Sequence, residues 1–167
     1  MNPDTYELNF NGELLKRGFW LYVWEITAPD GITLYYVGRT GDSSSINAQS
    51  PFNRMGQHLG FTAASNMLRQ HLQGKGIAAE KCAFRFVAYG PIMEEAATQD
   101  EHRKLRDVTA ALEKALAVAF KDSGHEVLNT VKCRKKPDQN LWEQVYKDLV
   151  AYFPRLNQSP SKRKVKS

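Results

Sequence analysis

The chain has 167 residues, of which 42% are hydrophobic, and a formal net charge of +5 at pH 7. That is enough apolar material for one compact domain with its own core, so we expect no second domain. No run of apolar residues is longer than the six residues 115–120. It is far shorter than the ~20 residues that cross a membrane, which leads us to expect a soluble protein.

The chain has two cysteines, Cys82 and Cys133, which lie far apart and are not spaced as a metal-ligand pair. The N-terminal residues lack the basic and apolar regions of a signal peptide. We therefore expect reduced thiols and a cytoplasmic location.

Two segments rich in aromatic and β-branched residues predict a β-hairpin near the N-terminus. They cover residues 19–27 and 32–38, and the Ala-Pro-Asp-Gly sequence between them is typical of a turn. A pairing centred on Pro29 places Tyr22 opposite Tyr36 on one side of the sheet. Their hydroxyls would then share one site. The plainer interpretation is that both are aromatic residues of the core or of an interface, with their hydroxyl groups in contact with solvent.

A polar loop follows the hairpin and leads into a short helix. Ser50 followed by Pro51 is typical of a helix start, and the helix should run from residue 52 to about 59. Arg54 and His58 are four residues apart, so they should lie on the same face of this helix.

The rest of the chain predicts a second helix, a third strand and two further helices. The second helix covers residues 64–73, and alternating apolar residues over 82–89 predict a strand that Gly90-Pro91 should stop. Helical spacing of apolar residues predicts a long helix over 98–122 and a last one over 142–153. The expected fold class is α/β (α+β), with a small three-stranded antiparallel sheet flanked by helices.

Glu113 lies at the edge of the apolar stripe of the long helix. The residues three and four positions away are Thr109, Ala110, Leu116 and Ala117, so no basic residue pairs with Glu113 along its own helix. A solvated carboxylate or a tertiary ion pair would explain this position. A carboxylate at the rim of a core could also supply one oxygen to Mg²⁺, which takes the rest of its shell from water and phosphate.

These residues, in this order and on these elements, resemble the catalytic domain of GIY-YIG nucleases over roughly residues 18–131. In that family the site has a Tyr in each of the first two strands and a basic residue after the second tripeptide. It also has an Arg on the first helix, a Glu on a later helix and an Asn after it. The corresponding residues here are Tyr22, Tyr36 with Gly38, Arg39, Arg54, Glu113 and Asn129, and His58 matches an accessory His of some branches.

The chain departs from the family pattern in three places. Its first tripeptide is Trp20-Leu21-Tyr22, without the Gly and Ile of the family, its hairpin is slightly longer than usual, and the loop before the first helix is expanded. Because of this expansion, Arg69 on the second helix competes with Arg54 for the phosphate-binding role. The spacing between Arg54 and His58 favours Arg54.

The resemblance implies a DNA endonuclease that depends on Mg²⁺ or Mn²⁺. Glu113 would hold the metal, Arg54 would clamp the phosphate bidentately, and Arg39 would add positive charge. Tyr22 would orient the water or the phosphate, and Asn129 would brace the site.

The resemblance makes Tyr36 the general base that activates a water molecule. A free phenol has a pKa near ~10, and lowering it by about three units takes roughly 4 kcal/mol of preferential stabilisation of the phenolate. His58 could instead be the base through its own pKa, and the residues leave this alternative open.

The net charge of the chain lies at its C-terminus. Five basic and no acidic residues follow Phe153, whereas the part before them balances 18 acidic residues with as many basic ones. A polar, basic segment of this kind is typical of a disordered tail that binds phosphates. The predicted DNA contacts are Lys132, Arg134, Lys135, Lys136, Lys162, Arg163 and Lys164.

These expectations divide the chain into four parts. They are an N-terminal extension (1–17), a nuclease-like domain (18–131), a basic linker with the last helix (132–153) and the tail (154–167). Cleavage of both DNA strands would favour a homodimer. Two other classes of function stay open: a catalytically inactive nucleic-acid-binding module, and a protein-interaction domain. A salt titration of DNA binding separates the protein-interaction domain from the other two.

Overall fold

The structure, a computed structural model, describes residues 3–42 and 45–157. Its elements in chain order are β1 (Phe19–Thr27), β2 (Thr33–Arg39), α1 (Pro51–Leu59), α2 (Met67–Gly74), β3 (Ala83–Met93), α3 (Gln99–Asp122), β4 (Glu126–Val127) and α4 (Gln139–Tyr152). Short 3-10 turns lie at Gly12–Leu15, Ala79–Lys81 and Pro154–Asn157. No helix in the described ranges is both long and apolar enough to cross a membrane.

The sheet has four strands in the order β3-β1-β2-β4, so the predicted count of three is wrong. β1 pairs antiparallel with β2 and β3, whereas β4 pairs parallel with β2. β4 has two residues, and so short a strand shows no alternation in the sequence. The general α+β class is confirmed.

The predicted opposition of Tyr22 and Tyr36 is wrong by two residues, because Tyr22 lies opposite Gly38. The cause is the turn, in which the Ala28 N–H donates to the Ile32 carbonyl at 2.9 Å and moves the centre of the hairpin one residue along the chain. A register shift of two residues keeps each side chain on its face of the sheet. The two tyrosines therefore still lie on the same side, as diagonal neighbours.

The third strand continues through Gly90-Pro91 to Met93, so the predicted stop at this pair is wrong. β3 is an edge strand with β1 beside it. A proline lacks an N–H, but at the edge of a sheet no neighbouring strand needs that donor. Gly90 has a φ of 146°, and a Cβ there would lie 2.9 Å from the Trp20 ring, which explains the glycine.

The helix boundaries predicted for α1 and α3 are confirmed to within one residue. Ser50 accepts a hydrogen bond from the Asn53 N–H at the start of α1, and Thr98 accepts one from the Glu101 N–H at the start of α3. Gly124 ends the segment after α3 with a φ of 81°. α2 begins three residues later than predicted, and α4 begins three residues earlier.

The sheet separates two hydrophobic cores. On one face, Leu21 and Val37 pack against α3 and α4. On the other face, Tyr22, Trp24 and Tyr36 pack against α1 and α2. This division follows from the two-residue period of a strand, which sends neighbouring side chains to opposite faces.

The chain stays packed beyond α4. Leu156 is buried in the core beside α3 and α4, and the Tyr146 hydroxyl donates to its carbonyl at 2.8 Å. The predicted start of a disordered tail at residue 154 is therefore wrong for the turn Pro154–Asn157. Residues 158–167, with the predicted contacts Lys162, Arg163 and Lys164, lie outside the described residues.

Candidate active site

The hairpin brings Tyr22 and Tyr36 to the face that α1 covers, and Gly38 makes room for them. A Cβ at Gly38 would overlap the Tyr22 ring, which lies directly over this residue. Only glycine leaves the space that the ring occupies. The glycine of the Tyr-Val-Gly tripeptide therefore serves to seat the aromatic side chain of the neighbouring strand.

His58 joins the tyrosines from the last turn of α1. Its Nε2 lies 2.6 Å from the Tyr22 hydroxyl, and both side chains are buried. Burial lowers the pKa of His58 to about 3, with smaller contributions from Arg54 and His71. Burial also raises the pKa of Tyr22. At neutral pH this hydrogen bond thus joins an uncharged imidazole and an uncharged phenol.

Tyr36 packs edge-on against His58, with ring centroids 5.1 Å apart, and also contacts His71 at 5.8 Å. Its hydroxyl makes no hydrogen bond within the described residues. Burial raises the pKa of Tyr36, and the Glu113 carboxylate raises it further. Tyr36 is therefore a protonated phenol unless additional positive charge enters the site.

Arg54 is held in the site by two hydrogen bonds. Its Nη1 donates to Gln57 Oε1 and its Nη2 to Asp42 Oδ2, each at 3.0 Å. Its Nε is buried without a partner among the described residues. Arg69, the competing candidate, instead donates to the Leu59 carbonyl at 2.7 Å and takes no part in this cluster.

Glu113 has an ionic partner, although none on its own helix. Arg39 Nε donates to Glu113 Oε2 at 2.9 Å, and the two side chains are only 15% and 14% exposed. The tertiary ion pair, which the sequence offered as one explanation of this position, is thus present. Burial raises the pKa of Glu113 to about 7, although the Arg39 cation acts in the opposite direction.

The residues around Glu113 fit a Mg²⁺ ion with few protein ligands. Among the described residues, no group of three His, Cys, Asp or Glu side chains could hold a metal ion. Glu113 Oε2 accepts from Arg39, while Oε1 has no hydrogen bond in the described part of the chain. One carboxylate oxygen is compatible with Mg²⁺, which retains several waters and also binds substrate phosphates.

Asn129 connects the segment after β4 to the middle of β2. Its Oδ1 accepts from the Val37 N–H at 3.1 Å and its Nδ2 donates to the Val37 carbonyl at 2.7 Å. Asn129 is buried and braces the strand between Tyr36 and Gly38. Its position is that of a structural support for the site.

The basic cluster after β4 lies at the surface. Lys132, Arg134, Lys135 and Lys136 are exposed and belong to no helix or strand. Lys135 Nζ pairs with Asp107 Oδ2 at 2.6 Å, so part of its charge is compensated within the protein.

Sequence reasoning missed three neighbours of the site: Asp42, Gln57 and His71. Gln57 lies three residues after Arg54 on α1, a helical spacing that could have revealed it. Asp42 follows Gly41, whose φ of 72° turns the chain after β2, and no sequence pattern marks its contact with Arg54. His71 contacts Tyr36 only because α2 packs on the sheet.

No protein-family model, no curated protein and no solved structure matches this chain. The resemblance to GIY-YIG nucleases therefore stays a prediction from the sequence. Six of the expected site residues come together: Tyr22, Tyr36, Arg39, Arg54, His58 and Glu113.

Proposed function

We propose that this protein is a GIY-YIG-type, metal-dependent DNA endonuclease that hydrolyses phosphodiester bonds. The observation that carries the proposal is the gathering of two part-buried arginines, Arg39 and Arg54, beside Tyr22, Tyr36 and Glu113. Guanidinium groups that are largely withdrawn from water favour the binding of an anion. A phosphodiester supplies oxygens of the kind that guanidinium groups bind best.

Simple anion binding would not explain Glu113. A carboxylate beside two arginines opposes the approach of a phosphate, unless a divalent cation lies between the two negative groups. Glu113 would hold Mg²⁺ or Mn²⁺, which supplies positive charge at the scissile phosphate and at the leaving oxygen. The combination of Glu113 with the arginines therefore favours cleavage over binding alone.

Arg54 would be the main phosphate ligand of the protein itself. Gln57 and Asp42 fix two of its nitrogens, so the guanidinium plane is oriented before substrate arrives. The part of its side chain that stays exposed, 15%, would donate to a phosphate oxygen. Pre-orientation of this kind lowers the free-energy cost of reaching the transition state.

Tyr36 is the better candidate for the general base. Its hydroxyl has no hydrogen bond among the described residues and can accept one from a water molecule, whereas His58 Nε2 is engaged by the Tyr22 hydroxyl. The raised pKa of Tyr36 means that more than ~4 kcal/mol is needed to form the phenolate at neutral pH. Arg54 lowers the pKa of Tyr36, and added positive charge at Glu113 would act in the same direction.

One observation favours the alternative of an inactive nucleic-acid-binding module. The Arg39–Glu113 pair gives the carboxylate an internal counter-ion, which competes with a metal. Such a protein would bind DNA through the arginines and the basic residues without cutting it.

The decisive experiment incubates the full chain with supercoiled plasmid, once with Mg²⁺ and once with EDTA. We expect the plasmid to be nicked or linearised in the presence of Mg²⁺ and to stay intact in EDTA. The Glu113→Gln variant should not cut the plasmid in either condition. This variant keeps the shape of the side chain and an acceptor for Arg39, and its thermal midpoint checks the fold. Binding of plasmid without cleavage under all metal conditions would replace the proposal with the inactive module.

A further inference from the structure

A groove runs beside the candidate site along the outer face of α1. Its volume of about 340 Å³ lies within the usual range for ligand pockets. Every side chain that lines it is uncharged, and four of them carry an amide or a hydroxyl. The residues of this α1 groove are Asn53, Gly56, Gln57, Gly60, Thr62 and Ser65.

The α1 groove adjoins the proposed phosphate ligand through Gln57. This residue lines the groove, and its Oε1 accepts the hydrogen bond from Arg54 Nη1. A molecule in the groove would therefore lie next to an anion bound at Arg54. The groove itself offers no cation to a phosphate, but its amides and hydroxyls can bind the edge of a nucleobase.

Gly56 keeps the groove open at a cost to the helix. A glycine inside a helix is less favourable than alanine. A Cβ at Gly56 would meet nothing within 4 Å, so packing does not require glycine there. At Gly60, in contrast, a Cβ would lie 2.7 Å from the Gly56 carbonyl oxygen, and the backbone explains the residue. A ligand that binds in the groove would explain why residue 56 is a glycine, because a side chain there would fill part of the groove.

Phe61 lies in the chain between Gly60 and Thr62, two residues that line the groove. It is 86% exposed, and the guanidinium group of Arg69 lies 4.5 Å from the centre of its ring. Arg69 is itself held by the Leu59 carbonyl and by Glu80. One face of the ring is thus supported by a fixed cation, and the rest is free to stack on a planar group.

The loop that carries Phe61 is fixed before any ligand binds. The buried Asn66 donates from Nδ2 to the Gly60 carbonyl at 3.1 Å, and Gln70 donates from Nε2 to the Ala63 carbonyl at 2.6 Å. A surface ordered in advance loses less entropy on binding. Phe61 follows His58 by three residues, so their Cα atoms are at most ~11 Å apart, within a few nucleotide steps of the site.

We propose that the α1 groove binds an unpaired nucleobase next to the phosphate held at Arg54, with the base stacked on Phe61. A base inside a continuous duplex has neighbours on both faces and would first have to be flipped out, which is least costly for a base that is already unpaired. The favoured substrate class is therefore DNA with an unpaired base beside the cut, such as a single-stranded overhang or a branch. This inference rests on the proposed function and adds the form of DNA that the site accepts.

The test measures DNA affinity in EDTA by fluorescence anisotropy, using the full chain and two labelled probes. One probe is a duplex with a short single-stranded overhang, and the other carries abasic nucleotides in the same overhang. We expect the wild type to bind the first probe about tenfold or more tightly than the second, because base–aromatic stacking has this magnitude. Phe61→Ala and Gly56→Leu should reduce the difference to less than about twofold, and Phe61→Tyr should retain it.

Two control variants match these changes outside the groove. Tyr6→Ala removes another aromatic side chain, one that is 88% exposed, and Gly74→Leu fills open space at the end of α2. Both should retain the preference for bases, and thermal midpoints report whether each variant is folded. A wild type that binds the two probes equally, or a Phe61→Ala variant that keeps the full preference, would overturn the inference.

The absence of Mg²⁺ separates this test from that of the proposed function. A protein that prefers the base-containing overhang but never cuts DNA would contradict the nuclease proposal and support the base-binding groove. A protein that cuts plasmid but binds the base-containing and abasic probes with equal affinity would contradict only the proposal that the groove binds a base. Failure to bind either probe in EDTA would contradict the groove, and the plasmid experiment with Mg²⁺ would still decide the nuclease proposal.

Discussion

At the scale of single residues, burial decides the charge of the candidate site. It raises the pKa of Tyr22 and Tyr36, lowers that of His58 to about 3, and raises that of Glu113 to about 7. Each of these shifts favours the uncharged form of the group. The two arginines therefore carry most of the charge of the site, which their ion pairs with Glu113 and Asp42 offset in part.

Tyr36→Phe removes a hydroxyl and should lower the single-turnover cleavage rate by ~10²–10⁴-fold, the usual contribution of a general base. DNA affinity should change little. Tyr35→Phe is the matched control, because Tyr35 is equally buried but packs in the core on the other face of the sheet.

The pH dependence of the cleavage rate distinguishes the two candidate bases. The base acts in its deprotonated form, and the pKa of Tyr36 is raised, so the rate at saturating Mg²⁺ should rise with pH from 6 to 9. His58, with a pKa of about 3, would already be deprotonated over that whole range. A rate independent of pH, together with a strong effect of His58→Ala, would assign the base to His58.

At the scale of elements, the hairpin and α1 do most of the positioning. β2 carries Tyr36, Gly38 and Arg39 within four residues, and α1 carries Arg54 and His58 one turn apart. The hydrogen bond between Tyr22 and His58 connects α1 to β1 of the sheet. A change at Gly38, over which the Tyr22 ring lies, should therefore disturb both elements.

Gly38→Ala tests the contact between residue 38 and the Tyr22 ring. The added Cβ would overlap the Tyr22 ring, so we expect a loss of ~1–3 kcal/mol in the free energy of unfolding, as for other overpacked sites, and a fall in cleavage rate. Gly74→Ala, where a Cβ meets nothing within 4 Å, should change stability by no more than about 1 kcal/mol. Denaturant titration measures both variants, and equal stability of Gly38→Ala and wild type would contradict the proposed contact.

At the scale of the whole molecule, the packed part of the chain ends before the basic C-terminal residues begin to cluster. The packed chain extends through Leu156, while four of the basic residues lie beyond it, at Lys162, Arg163, Lys164 and Lys166. A truncation that tests the charge must spare Leu156, because removing a buried leucine costs stability by itself.

Deleting residues 158–167 should weaken DNA binding and leave the single-turnover rate at saturating protein nearly unchanged. The deletion lowers the formal net charge from +5 by the four basic residues that it removes. If all four contact phosphates, the slope of log affinity against log salt should fall by about 3 to 4. An unchanged slope would transfer the role to the exposed residues Lys132, Arg134 and Lys136.

Local rules made several elements predictable from sequence. The two-residue period of the strands put Tyr22 and Tyr36 on one face, and the Ser50-Pro51 cap located α1. These signals act over a few residues and need no knowledge of the fold. The exact pairing of the strands did not follow from them, because one hydrogen bond in the turn, from Ala28 to Ile32, fixes the register.

The sequence by itself determined which side chains could form the site and on which elements they stand. Only the tertiary structure decided their partners: Arg39 with Glu113, 74 residues away, and Tyr22 with His58, 36 residues away. It also revealed the α1 groove and the exposed ring of Phe61. The physical reason is that propensity and periodicity act between near neighbours in sequence. Ion pairs, burial and the resulting pKa shifts depend on how distant elements pack together.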